Sequence, residues 1–119
     1  MNHDIQQTWE HYVSSWKAAT PEAARAAFAR SLDPRCVYTD PLTQARGWDE
    51  LAAAMQQFHA QVPGGHFVTT YFLAHHGKSI ARWNMVGGDG AILGDGISYG
   101  EYSDAGMLVA MTGFFETGA

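Results

Sequence analysis

Hydrophobic residues recur every three or four positions through the first half of the chain. This spacing predicts a helix over residues 3–18, a second over 21–32 ended by Asp33-Pro34, and a third over 48–62. The apolar stripe of the first helix consists of Ile5, Trp9, Tyr12, Val13 and Trp16. Each helix therefore has one face suited to packing against a sheet.

Aromatic and β-branched residues take over in the second half, between turns that contain glycine. They predict four long strands, after a short strand over residues 36–39 and a loop over residues 42–47. The long strands are expected at residues 66–76, 79–86, 91–103 and 107–116. Gly94, Gly96 and Gly100 lie inside the third of them and indicate a strongly curved sheet. The order of elements predicts one α+β domain over residues 1–119.

The amino-acid composition excludes several classes of protein. Hydrophobic residues make up 46% of the chain and charged residues 16%, which excludes intrinsic disorder. Seven scattered cations and a net charge of -5 give no basic surface, so we expect no nucleic-acid partner. No segment approaches the roughly 20 apolar residues of a membrane span and no signal-peptide core is present. We therefore expect a cytoplasmic protein with no membrane partner.

The six histidines and the single cysteine do not predict a metal site. His75 and His76 are adjacent, so on a strand they are expected to point to opposite faces and not to share an ion. Cys36 has no second cysteine to join it as a ligand, and it fits a small buried hydrophobe. We expect neither a metal nor a cofactor.

Several short sequence motifs, together with their order along the chain, resemble the nuclear transport factor 2-like superfamily. The resemblance is closest to its SnoaL-like polyketide cyclases and ketosteroid isomerases. The resemblance covers essentially the whole chain. The motifs include Tyr38-Thr39-Asp40-Pro41, Gly47-Trp48-Asp49-Glu50-Leu51, Arg82-Trp83-Asn84-Met85 and Gly113-Phe114-Phe115-Glu116. The resemblance implies a cone-shaped, mostly antiparallel mixed sheet wrapped around the three helices, with a pocket at the open end.

The ketosteroid isomerase pattern assigns roles to individual positions. Asp40, followed by proline, matches the catalytic base, and Tyr12 matches the tyrosine that donates to the oxyanion. Ser98 stands where that family has a protonated aspartate. The limonene epoxide hydrolase pattern fits less well, because Asn84 and Gly113 occupy its two acidic positions. That hydrolytic mechanism is therefore rejected.

The alternation of side chains along a strand then assigns the remaining residues to one face of the sheet or the other. If Arg82 follows the family, Arg82 and Asn84 face the pocket, while Trp83 and Met85 lie on the outer face of the sheet. An apolar outer face predicts a homodimer. The expected substrate-binding residues are Tyr38, Arg82, Asn84, Ser98, Trp16 and Phe58.

Two functions fit these residues. The first is cofactor-independent, isomerase- or cyclase-like proton transfer on a small hydrophobic carbonyl compound, with Asp40 as base and Tyr12 as donor. The second is non-catalytic binding of a small molecule, or a dimeric accessory role. Structural explanations also stay open: Asp40-Pro41 as a turn, Tyr12 as a core residue, and Arg82 as an ion-pair partner of Asp40 or of another carboxylate.

Overall fold

Helices fill the first half of the chain and strands the second half. The computed structural model describes residues 4–117, so the predicted start of the first helix at residue 3 lies outside it. The helices are α1 (Ile5–Ser15), α2 (Pro21–Phe28) and α3 (Gly47–Gln61). The strands are β1 (Leu32–Thr39), β2 (Gln44–Arg46), β3 (His66–His75), β4 (Lys78–Val86), β5 (Ile92–Tyr102) and β6 (Leu108–Phe114).

All six strands form one open sheet in the order β2-β1-β6-β5-β4-β3. The β1–β6 pair is parallel and the other pairs are antiparallel. Register shifts interrupt four of the five pairings, as β-bulges do, and bulges bend a sheet. The predicted α+β class with a strongly curved, mostly antiparallel sheet is confirmed.

The start of α2 at Pro21 agrees with the prediction, but its end does not. The Thr20 hydroxyl accepts a hydrogen bond from the Ala23 amide at 3.1 Å, and Pro21 occupies the first turn. The helix then ends at Phe28, because the chain turns into β1 at Leu32. Asp33 and Pro34 therefore lie inside a strand, where the β1–β6 register is irregular, and do not end the helix.

The loop predicted over residues 42–47 contains the short strand β2. It pairs with the end of β1, with Thr39 opposite Gln44. The Asp40 amide donates to the Thr43 carbonyl at 2.9 Å and closes a tight hairpin. This hairpin fixes the backbone that carries Asp40.

The core lies between the helices and the concave face of the sheet. Trp9 of α1 packs against Phe72 of β3, with ring centroids 6.5 Å apart. The largest fully buried side chains are contributed by helices and strands alike: Trp9, Phe28, Leu32, Leu51, Met55, Leu108 and Met111. These residues close one part of the concave face and leave the remainder for a cavity.

Candidate functional site

A cavity of about 610 Å³ lies between the helices and the concave face of the sheet. Its volume is typical of small-molecule sites, which range over roughly 300–1,000 Å³. Aromatic rings form much of its wall: Trp9, Trp16, Phe58, Phe67, Trp83 and Phe115. Trp16, Phe58 and Phe67 contact one another through centroid separations of 5.1–5.7 Å.

Asp40 reaches this cavity from the β1–β2 hairpin and is half-buried. Its carboxylate accepts hydrogen bonds from the Tyr38 hydroxyl and, at 2.8 Å, from the Leu42 amide. Tyr38 therefore holds the carboxylate in place, and its proton is committed to Asp40. Asp40 does begin a turn, as its place before Pro41 predicts, but the same turn directs its side chain into the cavity.

Tyr12 lies on α1 and also lines the cavity. Its oxygen accepts a hydrogen bond from the Trp16 indole N–H at 3.0 Å, and its own O–H has no acceptor within residues 4–117. Burial raises the pKa of Tyr12 and of Tyr38 well above the usual value for tyrosine. Both groups stay protonated at neutral pH, so Tyr12 can donate to an oxygen atom of a ligand.

Ser98 of β5 repeats this arrangement. Its hydroxyl oxygen accepts from the Trp83 indole N–H at 2.9 Å, and its own proton finds no acceptor in the described part of the chain. A Cβ atom on Gly113 would lie 3.5 Å from Asp40 Cβ and 3.8 Å from both Ser98 Oγ and Tyr38 Oη. The missing side chain of Gly113 thus leaves open the space where the carboxylate and the serine hydroxyl converge.

The predicted alternation of β4 is wrong by one residue. Opposite residues of an antiparallel pair share a face, and Trp83 lies opposite Gly96. Trp83 and Met85 line the cavity, whereas Arg82 is exposed on the convex face. The physical reason is Gly96: a Cβ atom there would lie 2.3 Å from the Trp83 ring, so only glycine admits the indole on the concave side.

Arg82 and Asn84 therefore do not meet Asp40. They border a depression beside the cavity together with Asp95, Ile97, Phe114 and Glu116. The only salt bridge within residues 4–117 joins Arg25 to Asp49, so the interpretation of Arg82 as the ion-pair partner of Asp40 is also wrong. On β5, Gly94 and Ser98 are separated by an even number of residues and both line the cavity.

Sequence reasoning missed several residues of the site. Phe67 and Trp83 form walls and Gly113 provides space, while the exposed residues Asp95 and Glu116 border both the cavity and the depression beside Arg82. The glycine opposite Trp83 is a usable signal for the concave face once the strand register is known. No comparable signal in the sequence marks the two carboxylates.

The histidine prediction fails at the β3–β4 turn. His76 adopts a left-handed backbone conformation with φ of 49°, which brings its Nδ1 atom within 3.1 Å of His75 Nδ1. The two rings thus lie side by side and not on opposite faces. Across residues 4–117, no three potential metal ligands come together. None of the helices described here is both long and apolar enough to cross a membrane.

Comparison with known proteins places this geometry in a family. The SnoaL-like domain matches residues 9–117. A candidate isomerase of the SnoaL-like family from Agrobacterium tumefaciens C58 superposes with a TM-score of 0.86 at 21% identity, over 94% of this chain and 97% of that one. A SnoaL-like protein of unknown function from Burkholderia thailandensis superposes with a TM-score of 0.73 at 14% identity, over 98% of both chains.

The likeness extends to a designed protein. A de novo protein with a curved β-sheet superposes with a TM-score of 0.74 at 12% identity, over 98% of this chain and 89% of that one. A search of curated proteins gave no match. At these identities the structural neighbours establish the fold, and the domain match establishes the family. The chain belongs to the SnoaL-like family, as the motifs around Asp40 and Trp83 predict.

Proposed function

We propose that the cavity catalyses proton transfer on a small hydrophobic carbonyl compound, with Asp40 as the general base. One observation carries the proposal: a carboxylate held by two hydrogen bonds lines the same apolar cavity as two hydroxyls whose protons are uncommitted. The candidate isomerase among the structural neighbours is consistent with this chemistry.

The reaction divides into two proton transfers. An Asp40 carboxylate oxygen takes a proton from the carbon next to the carbonyl group, and the electron pair of the broken C–H bond forms an enolate. The Tyr12 and Ser98 hydroxyls donate hydrogen bonds to the enolate oxygen, where negative charge accumulates. The proton then returns from the Asp40 carboxyl group to the same or another carbon, which restores the carbonyl group.

The indole N–H groups set the direction of these donors. Trp16 and Trp83 each donate to a hydroxyl oxygen, which leaves the hydroxyl hydrogen to point elsewhere. Because Tyr38 donates to Asp40, it positions the base and does not bind the substrate oxygen. A preorganised set of donors of this kind stabilises a developing oxyanion without reorganisation.

Deuterium exchange tests the proposal before the natural substrate is known. Uncharged cyclic ketones are incubated with the protein in heavy water, and loss of the proton next to the carbonyl group is followed by nuclear magnetic resonance. Asp40→Asn should reduce the rate to that of buffer alone. Tyr12→Phe should reduce it by about a hundredfold, and Ser98→Ala by about tenfold, because each removes one oxyanion donor.

Asp104→Asn is the matched control, since Asp104 is an exposed carboxylate in the β5–β6 turn and does not line the cavity. It should exchange at the rate of the unaltered protein. Equal rates for Asp40→Asn and the unaltered protein, with both folded by circular dichroism, would remove Asp40 from the mechanism.

Non-catalytic binding is the second candidate function, and two features favour it. The hydrogen bonds of Asp40 to Tyr38 and Leu42 also stabilise the hairpin, and a hydroxyl at Ser98 is a weaker donor than a carboxylic acid. A binding protein would retain its affinity for a ketone in Asp40→Asn and show no exchange above buffer in either form.

A further inference from the structure

His59 connects the end of α3 to the end of α1 by one hydrogen bond. Its Nε2 atom lies 2.6 Å from the carbonyl oxygen of Trp16, 43 positions earlier in the chain. A carbonyl oxygen only accepts, so the His59 Nε2–H group is the donor. The His59 side chain is half-buried and does not line the cavity. Any effect of His59 on a bound ligand therefore passes through the residues that it contacts, of which Trp16 is the one held by a hydrogen bond.

The carbonyl group of Trp16 needs a donor from outside α1. The last carbonyl groups of a helix have no intrahelical partner. The amides of residues 16–18 donate to the carbonyl oxygens three positions earlier, at 3.1–3.2 Å, which tightens the end of α1 into a 3₁₀ turn. These bonds satisfy the carbonyl groups of residues 13–15. The Trp16 carbonyl is the next along the chain, and His59 supplies its donor.

The side chain of Trp16 carries this connection into the cavity. Its indole N–H donates to the Tyr12 oxygen at 3.0 Å and thereby leaves the Tyr12 hydrogen free. Its ring packs against Tyr38, Phe58 and Phe67, with centroid separations of 5.4–5.7 Å. Aromatic pairs are favourable over separations of roughly 4.5–7 Å, whereas a hydrogen bond weakens steeply once its angle falls below about 120°. The bond to Tyr12 is therefore the contact that depends most on where the Trp16 backbone is held.

We propose that His59 is a positioning residue for the oxyanion donor. By holding the Trp16 carbonyl, His59 fixes the backbone from which the indole reaches Tyr12, so that the Tyr12 hydrogen stays directed to the substrate oxygen. The inference rests on the proposed function, because it adds to the same site a residue that touches no reacting atom. Loss of the His59 donor should leave the apolar walls in place and misalign one hydroxyl.

The indole resonance of Trp16 tests the connection directly. In protein labelled with nitrogen-15, the Trp16 N–H signal is the one that Trp16→Phe removes. His59→Leu should move this signal to lower proton frequency, in the same direction as Tyr12→Phe, which removes the acceptor, because the hydrogen bond to Tyr12 lengthens. His59→Gln keeps an N–H donor of similar reach and should leave the signal near its original position. The Trp83 signal, whose N–H donates to Ser98, should stay unchanged.

Deuterium exchange measures the consequence for catalysis. With a cyclic ketone as probe, His59→Leu should lower the maximal exchange rate about tenfold, since a small misplacement of a donor is enough for a loss of this size. The ketone concentration that gives half the maximal rate should stay within about twofold, because the apolar wall is unchanged. His59→Gln should recover the rate to within about twofold. His66→Leu is the matched control. His66 has a ring nitrogen 3.3 Å from the Gly64 carbonyl oxygen but does not line the cavity, so this variant should exchange at the rate of the unaltered protein.

A double variant separates positioning from general stabilisation. If His59 acts by aligning Tyr12, adding His59→Leu to Tyr12→Phe should lower the exchange rate by less than about twofold, because the donor is already absent. The full loss in both backgrounds would show a structural role and overturn the inference. His59→Asn, whose shorter side chain does not reach the Trp16 carbonyl, replaces His59→Leu if circular dichroism shows the leucine variant to be unfolded.

The inference is also overturned if the Trp16 signal of folded His59→Leu is unchanged, or if His59→Leu and His59→Gln have the same rate while exchange depends on Asp40. Its failure is distinguishable from failure of the proposed function. A Trp16 signal that follows the His59 donor, without dependence of exchange on Asp40, would leave the positioning of Trp16 standing and remove the base. Exchange that depends on Asp40, with a Trp16 signal indifferent to His59, would do the reverse.

Discussion

The fold suppresses the ionisation of several acidic groups, among them Tyr12, Cys36, Tyr38 and Tyr102. Burial raises the pKa of all four above their ordinary values, to about 11 for the Cys36 thiol and to about 12 for Tyr102. Asp33 adds to the effect on Cys36, because a neighbouring negative charge disfavours the thiolate. The neutral thiol explains why Cys36 fits the core, where it is 1% exposed, and why it offers no nucleophile at neutral pH.

The pKa of Cys36 predicts a loss of stability at alkaline pH. The thiol of the unfolded chain releases its proton near pH 9, while the folded thiol keeps it up to about pH 11. Below pH 9 the thiol is protonated in both the folded and the unfolded state, so its ionisation does not reduce the free energy of unfolding. Between these values the unfolded state binds fewer protons, so the free energy of unfolding falls as pH rises. The loss amounts to at most about 3 kcal/mol.

Urea unfolding of the unaltered protein and of Cys36→Ala across this pH range isolates the thiol. The alanine variant starts less stable, because it leaves space in the core, but its stability should decline less steeply. The buried tyrosines contribute equally to both curves and cancel in the comparison. Parallel curves would show that the thiol ionises alike in both states.

At the residue scale, the sequence identified side chains that lie together in the cavity, but not all of their hydrogen-bond partners. Asp40, Tyr12 and Ser98 line the cavity, as the family resemblance predicts. Tyr38 also lines it, yet its proton is committed to Asp40. The hydrogen bond from Tyr38 to Asp40 depends on the hairpin that β2 makes with β1. Because β2 has only three residues and lies inside the predicted loop, its sequence shows no alternation from which a strand could be predicted.

At the element scale, the β4–β5 pair determines which side chains reach the cavity. Trp83 crosses to the concave side over Gly96, where a Cβ atom would lie 2.3 Å from its ring and 2.7 Å from the Phe114 carbonyl oxygen. The backbone contact cannot be relieved by rotating a side chain. Gly94, two residues earlier on the same face, would place its Cβ no closer than 3.9 Å to Met85.

These two glycines give a matched prediction. Gly96→Ala should destabilise the protein by roughly 1–3 kcal/mol and separate the Trp83 indole from Ser98, because the ring and the β6 backbone must both move. Gly94→Ala should change stability by less than about 0.5 kcal/mol. Urea unfolding gives the stabilities, and the tryptophan emission spectrum reports the altered surroundings of Trp83. Equal stabilities of the two variants would contradict the packing described for Gly96.

The error in β4 has a general physical cause. A period of two assigns side chains to two faces but does not say which face is buried, and shifting the choice by one residue exchanges them all. In β5 the small residues Gly94 and Ser98 both line the cavity. In β4 both sets contain apolar residues, so the choice required the register with β5, a long-range property absent from the local pattern.

At the scale of the whole molecule, correcting β4 changes the basis for a dimer. Trp83 and Met85, the residues that suggested an apolar outer face, line the cavity. The convex face is nevertheless apolar, through side chains that the alternation of β3, β4 and β6 turns outward. Its exposed members are Val68, Tyr71, Leu73, Ile80 and Phe114, between 43% and 58% exposed. Arg82 lies among them, opposite Tyr71 and Ile97.

We propose that two chains associate through this convex face, because contiguous apolar surface of this kind is stabilised by burial against a partner. Light scattering after size exclusion should give twice the chain mass of 13.0 kDa at micromolar concentration. Ile80→Lys, which introduces a charge into this face, should give the mass of one chain. Leu42→Lys is the control, since Leu42 is 74% exposed but lies at the tip of the β1–β2 hairpin.

Because Ile80 faces away from the cavity, the monomeric variant should retain ligand affinity within about twofold. A single-chain mass for the unaltered protein would refute the dimer, and loss of binding in Ile80→Lys would show that the cavity depends on the second copy.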